Sequence, residues 1–121
     1  MTLGLLQVIL TVDALIRPPG PKLMVCIEPR EGIFLRINSE PNWAGSVKIE
    51  KRHHPFLKWD SYIECGEPFS LDEYTVYESV RDKGVLGTVD KSLIPAICAG
   101  VNASDTVTDA DKEAIRLALG C

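Results

Sequence analysis

The sequence predicts an α+β domain, with antiparallel strands in its first two-thirds and helices in its last third. Up to about residue 78, short apolar or alternating segments are separated by proline and glycine, which is typical of strands joined by turns. After residue 90, apolar residues recur at the three- and four-residue spacing of an amphipathic helix. A chain of 121 residues with 45% hydrophobic and 25% charged residues is ordinary for one globular domain. Residues 1–121 are therefore predicted to form a single domain.

Six segments before residue 79 combine β-branched, aromatic or other apolar residues with turn signals at their ends. These predicted strands cover residues 5–12, 22–28, 33–38, 46–50, 61–65 and 74–78. The turn at 29–32 holds Pro29 and Gly32 in turn-forming order, so residues 22–38 are expected to form an antiparallel hairpin. Sheets of so few short strands usually curl into a small barrel or lean on a helix, because either arrangement hides their edges.

Three connecting segments have the composition of loops. Residues 17–21 contain three prolines, which fix φ and remove backbone donors, and they are predicted to form a stiff loop. Residues 39–45 are a polar loop, and residues 51–55 form a basic tip between two strands.

Two helices are predicted near the C-terminus. Asp90 is the predicted N-cap of a helix over residues 91–101. Thr108 and Asp111 resemble a capping box that opens a second helix to about residue 119. Gly120 follows directly, where glycine commonly ends a helix.

The N-terminal segment 3–16 is apolar but is interrupted by Gln7, Thr11 and Asp13 and has no basic residue before it. It is too short to span a bilayer and lacks the basic start of a signal peptide, so it is predicted to be a core element with no membrane association.

The cysteines are Cys26, Cys65, Cys98 and Cys121, and none forms a C-x-x-C pair or stands at zinc-ligand spacing from a histidine. They are predicted to be buried, reduced thiols of a cytoplasmic protein, and no metal or other cofactor is expected.

Composition and motifs exclude several functional classes. The sequence has no Gly-rich phosphate loop, no H-E-x-x-H and no G-x-S-x-G, which argues against P-loop hydrolases, zinc proteases and α/β-hydrolases. The net charge of −4 argues against nucleic-acid binding over the whole surface. A local basic groove is still allowed, because attraction depends on how charge is arranged.

Residues 48–62 carry the strongest chemical signal, since four cations, two histidines and three aromatic residues are interleaved there. Cations bind phosphates and aromatic faces stack on bases, so this mixture suits single-stranded RNA. The candidate RNA-binding residues are Arg52, His53, Lys58 and Trp59. On composition alone, the same segment also fits an ordinary solvated hairpin tip.

The predicted elements before and after residues 48–62 form a recognisable pattern together with this segment. A proline-rich loop leads into a strand at Lys22, and a strand-turn-strand unit ends at Ser39. The motif Leu-x-x-x-Ser-Tyr-Ile-x-Cys covers residues 57–65, and Gly-x-Leu-Gly at 84–87 precedes a helix. Over roughly residues 5–101, this arrangement resembles the PemK/MazF-type toxin family of toxin–antitoxin modules. The resemblance implies a small antiparallel SH3-like β-barrel followed by C-terminal helices. It also implies a homodimer that cleaves single-stranded RNA without a metal and is blocked by a cognate antitoxin protein.

The same resemblance implies the catalytic residues. In that family an arginine opens the second strand and acts with a threonine or serine that ends the third. The matching positions here are Lys22 and Ser39. Lysine departs from the pattern because it is a point charge without the planar fork of arginine. Histidine is the side chain that most commonly moves protons near neutral pH, and His54 is the candidate that would supply acid–base function.

Each of these residues also fits a structural role. Lys22 fits a strand-end charge, Ser39 fits a turn residue that bonds its own backbone, and the histidines fit a loop. Two other functions therefore stay open: a non-catalytic small β-barrel module that binds RNA or a protein partner, and an assembly protein that associates through its apolar elements.

Overall fold

The computed structural model describes residues 3–12, 20–41 and 45–121, and these residues form an α+β fold. Its strands, in chain order, are β1 Gln7–Val12, β2 Pro21–Glu28, β3 Ile33–Asn38, β4 Val47–Ile49, β5 Ser61–Ile63, β6 Phe69–Ser70 and β7 Gly87–Thr88. Its helices are α1 Glu73–Lys83, α2 Ile94–Ala103 and α3 Asp109–Leu119, with short 3-10 turns at Lys51–His53 and Lys91–Leu93. Within the predicted loops, residues 17–19 and 42–44 lie outside the described residues.

The strands form one curled antiparallel sheet, an open half-barrel with the order β4-β5-β3-β2-β1-β7 and with β6 paired to β3. The predicted hairpin over 22–38 is confirmed, since β2 and β3 pair in antiparallel register. The predicted strand 5–12 begins later, at Gln7, because Leu6 adopts a positive φ of 65° that no extended strand allows.

The predicted strand over 74–78 is wrong, because this segment lies inside α1. Tyr74 and Val76 alternate with polar residues, but the stronger signals are the helix cap and stop on either side. The Asp72 side chain accepts a hydrogen bond from the Thr75 amide at 2.7 Å, and Gly84 ends the helix with a φ of 72°. The sequence predicted that all helices follow the strands. This order is not observed, because α1 lies between β6 and β7.

Helices cover both faces of the sheet, and each face forms a separate hydrophobic cluster with its helices. One cluster joins the inner face to α2 and α3 through residues such as Val25, Leu35, Ile63, Ile97 and Ile115. The other joins the outer face to α1 through residues such as Ile9, Met24, Phe34, Val76 and Val80. The beginning of β2 and the end of β3 are less buried than the strand centres, and this leaves one end of the sheet open.

The C-terminal helices follow their predicted caps. Thr108 accepts a hydrogen bond from the Asp111 amide at 3.2 Å, and Gly120 ends α3 in the left-handed conformation. Asp90 also caps as predicted, but it caps the 3-10 turn, and α2 itself begins only at Ile94. Pro95 lies in the first turn of α2, where a missing N–H costs no helical hydrogen bond.

The prediction that every cysteine is a reduced thiol is wrong for one pair. Cys98 in α2 and Cys121 after α3 form a disulfide, with their Cα atoms 6.0 Å apart. The sequence does not indicate this pair, because only the packing of α3 against α2 brings Cys121 close to Cys98. Cys26 and Cys65 are buried free thiols, as predicted, and burial first, then the nearby charges of Glu28 and Glu64 respectively, raise the pKa of each to about 12.

We expect reduction of the Cys98–Cys121 disulfide to lower the free energy of unfolding by about 3 kcal/mol, because the bridge spans 23 residues of sequence. Urea titrations with and without reductant measure this difference. Thiol counting with a colorimetric disulfide reagent provides a check. The folded, unreduced protein should react at neither free cysteine, and the unfolded protein should expose two thiols without reductant and four with it. Four thiols in the unreduced, unfolded protein would contradict the disulfide.

Within the described ranges, no helix combines the length and apolarity needed to cross a membrane.

Candidate nucleic-acid interface

A cavity of about 560 Å³ lies where β2 begins and β3 ends, at the open end of the sheet. The loop before β5 and the segment before β7 form its other walls. We call it the strand-end groove. Its polar and aromatic lining includes Lys22, Arg36, Asn38, Ser39, Lys58 and Trp59. The structure therefore brings four of the predicted site residues together, two from the catalytic set and two from the RNA-binding set.

Lys22 and Arg36 form the cationic part of the groove. Met24 lies opposite Arg36 in the β2–β3 register, and Lys22, two residues before Met24, lies on the same face by strand alternation. Both cationic side chains are therefore on one face and close together. Partial burial, and after it the positive charge of Arg36, lowers the pKa of the Lys22 ammonium. Lys22 and Arg36 therefore place two positively charged side chains at this end of the groove.

Ser39 lies one residue beyond the end of β3 and is exposed in the groove. Ser39 directly follows the strand that holds Arg36 and lies three residues after it in the chain. Asn38 lies between them in sequence and pairs with Tyr62 of β5. The end of β3 thus presents a hydroxyl and an amide beside the two cations.

Lys58 and Trp59 come from the loop that precedes β5. Both are exposed, and Trp59 leaves 56% of its surface accessible. The backbone beneath them is held in place, since the Ser61 hydroxyl donates to the Trp59 carbonyl at 3.0 Å and Lys51 Nζ donates to the Leu57 carbonyl at 2.9 Å. An exposed indole on a fixed backbone is a suitable stacking surface for a nucleobase.

Arg52 and His53 lie elsewhere, on the 3-10 turn Lys51–His53. Arg52 Nε donates to the Glu50 carboxylate, and His53 Nε2 lies 3.8 Å from the same group. Arg52 lines a separate shallow cavity beside Asp60 rather than the strand-end groove. The nearby Glu50 carboxylate offsets part of the positive charge that the sequence predicted for this tip.

His54 is buried, with 2% of its surface exposed. Its Nδ1 lies 2.8 Å from the Glu50 carbonyl, which only accepts hydrogen bonds, so Nδ1 carries the proton. Its Nε2 accepts a hydrogen bond from the Asp90 amide at 3.0 Å. Both ring nitrogens are therefore engaged inside the protein, and this arrangement fits a structural role better than proton transfer to a substrate.

Arg36 is the groove residue that the sequence analysis did not select. The available signal was a charged residue in an otherwise apolar strand, three positions before Ser39. Its significance depends on cross-strand register, because only the pairing of β2 with β3 places it beside Lys22.

The polar side chains that line the strand-end groove are cationic or neutral. No carboxylate is among the described residues that line it. In the part of the chain that the structure describes, no group of three or more His, Cys, Asp or Glu residues is placed to hold a metal ion. No protein-family model matches the sequence, and no curated protein matches it either.

Proposed function

We propose that this protein binds single-stranded RNA in the strand-end groove and cleaves it as a metal-independent endoribonuclease of the PemK/MazF type. The observation that carries the proposal is the grouping of Lys22, Arg36 and Lys58 with exposed Trp59 in one cavity whose described lining has no carboxylate. Phosphates favour such a cationic surface, and an unpaired base favours an exposed aromatic face.

Arg36 supports the catalytic part of the proposal. The family pattern has an arginine at the position of Lys22, where its planar fork would grip a phosphate at two points. Here the guanidinium comes from Arg36 on the neighbouring strand, beside the Lys22 ammonium. Together the two residues offer the fork and the second charge that a developing phosphorane dianion requires.

The proposed reaction is attack by the ribose 2′-oxygen on the adjacent phosphorus. The new P–O2′ bond forms as the P–O5′ bond breaks, giving a 2′,3′-cyclic phosphate and a 5′-hydroxyl end. Solvent water accepts the proton lost from the 2′-hydroxyl, and the leaving 5′-oxygen takes up a proton from solvent. Lys22 and Arg36 stabilise the charge on the non-bridging oxygens, and Ser39 donates a hydrogen bond to one of them.

The remaining features of the proposal come from the family resemblance. They are an SH3-like barrel, a homodimer, a cytoplasmic location and a cognate antitoxin protein that blocks the groove. Binding of RNA without cleavage is the second candidate. It is favoured by His54, because the engagement of both of its ring nitrogens removes the acid–base group that the sequence had suggested.

A labelled pool of single-stranded RNA oligonucleotides tests the proposal in buffer that contains EDTA. We expect cleavage to cyclic-phosphate ends, and we expect Ser39→Ala to slow it by about tenfold or more because one hydrogen bond to the transition state is lost. Matched oligonucleotides with 2′-deoxyribose should bind with similar affinity and stay intact. Binding without cleavage would overturn the nuclease in favour of the second candidate. If the protein neither binds nor cleaves RNA, both the nuclease and the RNA-binding candidate are overturned.

A further inference from the structure

We infer that His54 is a positioning residue, a joint between the two walls of the strand-end groove that holds the groove in its RNA-binding shape. The inference concerns the groove's architecture, and only its effect on RNA rests on the proposed function. His54 itself does not line the groove, so it acts through the residues on either side of it.

The first wall follows His54 directly in the chain. Residues 56–59 all line the groove, and the Leu57 amide donates to the His54 carbonyl at 3.0 Å. The backbone of His54 therefore begins the turn that sets the direction of this wall. The ring of Phe56 also contacts the His54 ring edge-on, with a centroid separation of 5.9 Å.

The second wall is the segment around β7, where Leu86 lines the groove. Backbone hydrogen bonds attach this segment to β1 and to the residue before it. The Leu86 amide donates to the Val8 carbonyl at 2.9 Å, and the Val89 amide donates to the Leu6 carbonyl at 2.8 Å. The sheet thus holds the second wall, and a link between this wall and the first would fix the distance between them.

The His54 ring provides that connection. Its Nε2 accepts from the Asp90 amide at 3.0 Å, across 36 residues of sequence, while Nδ1 is tied to the Glu50 carbonyl. This bond involves the Asp90 backbone amide, while the Asp90 carboxylate accepts a hydrogen bond from the Ser92 amide. The ring therefore joins three backbone segments in a single tautomer, with the proton on Nδ1.

The contact between Phe56 and β7 shows how closely the two walls approach below this joint. A Cβ atom at Gly87 would lie 2.4 Å from Cδ1 of Phe56, so only glycine leaves room for the ring. Since Phe56 lines the groove, a shift of the first wall against β7 would change the groove's shape. Hydrogen bonding by His54 and the tight Phe56–Gly87 contact together oppose that shift.

Nitrogen-15 NMR of the histidine side chains tests the joint without RNA. The chain has two histidines, so exposed His53 is an internal reference in the same spectrum. We expect His54 to show one fixed tautomer, protonated at Nδ1, and His53 to show averaged exchange behaviour. A His54 ring protonated at Nε2, or one that averages between tautomers, would overturn the inference whatever the protein does with RNA.

Two variants separate the hydrogen bond from the volume of the ring. His54→Gln can place an amide oxygen near the position of Nε2, whereas His54→Phe fills the space without an acceptor. We expect the Asp90 amide to exchange with deuterium at least about tenfold faster in His54→Phe and close to the wild-type rate in His54→Gln, because only the former loses the acceptor. The Val89 amide, bonded to Leu6, is the control and should change little in either. Equal acceleration in both variants would overturn the role of the hydrogen bond.

RNA affinity then links the joint to the groove. A fluorescent single-stranded RNA oligonucleotide should bind His54→Gln within about threefold of the wild-type Kd and His54→Phe about tenfold more weakly, as expected for one lost preorganising bond. Equal affinities for the wild type and a folded His54→Phe would overturn the positioning role. If His54→Phe does not fold, the tautomer of His54 in the wild-type NMR spectrum and the Asp90 amide exchange rate in His54→Gln still test the positioning role. If the wild type binds no RNA, the proposed function fails while the joint is judged by NMR and exchange alone.

Discussion

Lys22→Ala and Arg36→Ala are each expected to slow RNA cleavage by about a hundredfold or more, the usual loss when one preorganised charge-stabilising group is removed from an active site. The two side chains lie on one face of adjacent strands in the same groove, so both can reach one phosphate. We therefore expect the double variant to lose less than the product of the two single effects, because groups that act on the same charge are not independent. Single-turnover cleavage of a labelled RNA measures all three rates.

Conservative variants make the test specific. Lys22→Arg introduces the residue type that PemK/MazF-type toxins have at the resembling position and should keep or raise the cleavage rate. Arg36→Lys keeps the charge but loses the planar fork and should slow cleavage. Lys83→Ala is the matched control, since it removes a positive charge from an exposed position on α1. A wild-type rate in Arg36→Ala would contradict the role of Arg36. Equal losses in Lys83→Ala would show that only net charge matters.

Gly32→Ala is expected to lower the free energy of unfolding by about 2 to 5 kcal/mol, the sum of left-handed backbone strain and overpacking. Gly32 lies in the turn between β2 and β3 with a φ of +72°, and an added Cβ would lie 2.5 Å from the Leu71 carbonyl oxygen. The Leu71 amide donates to the Gly32 carbonyl at 2.9 Å, so the two backbones cannot separate without losing this bond. Urea denaturation monitored by circular dichroism measures the change.

Gly120→Ala separates the two causes. Gly120 has a φ of +77°, but an added Cβ would meet nothing within 4 Å. Only the backbone strain applies there, so we expect a loss of about 1 kcal/mol. Equal losses at the two glycines would show that the Leu71 backbone moves aside easily, and would contradict the close packing of the β2–β3 turn.

Local signals predicted the elements that depend on few neighbours. The strand 33–38 was predicted with both of its ends, and the cap at Thr108 predicted where α3 begins. These signals are carried by residues within a few positions of one another, so they survive without tertiary information. The predicted strand 74–78 was wrong because a short stretch of alternating apolar residues fits either period, and the cap at Asp72 and the stop at Gly84 favour the helix.

The candidate site was predicted only in part. Lys22, Ser39, Lys58 and Trp59 lie in one groove, while Arg52 and His53 lie on a separate turn beside Glu50. Composition marks a segment as basic and aromatic, but it does not show which side chains share a cavity.

By itself, the sequence determined the α+β class, the β2–β3 hairpin and the C-terminal caps, because periodicity, turn residues and capping residues act over short distances. Only the tertiary structure decided the partner of Cys98, the position of Arg36 beside Lys22 and the burial of His54 against Asp90. Each of these joins residues that are far apart in the chain, and cross-strand register and helix packing set such contacts. A histidine that resembled a catalytic base in the sequence is thus a structural joint in the fold, since the Asp90 amide occupies its free nitrogen.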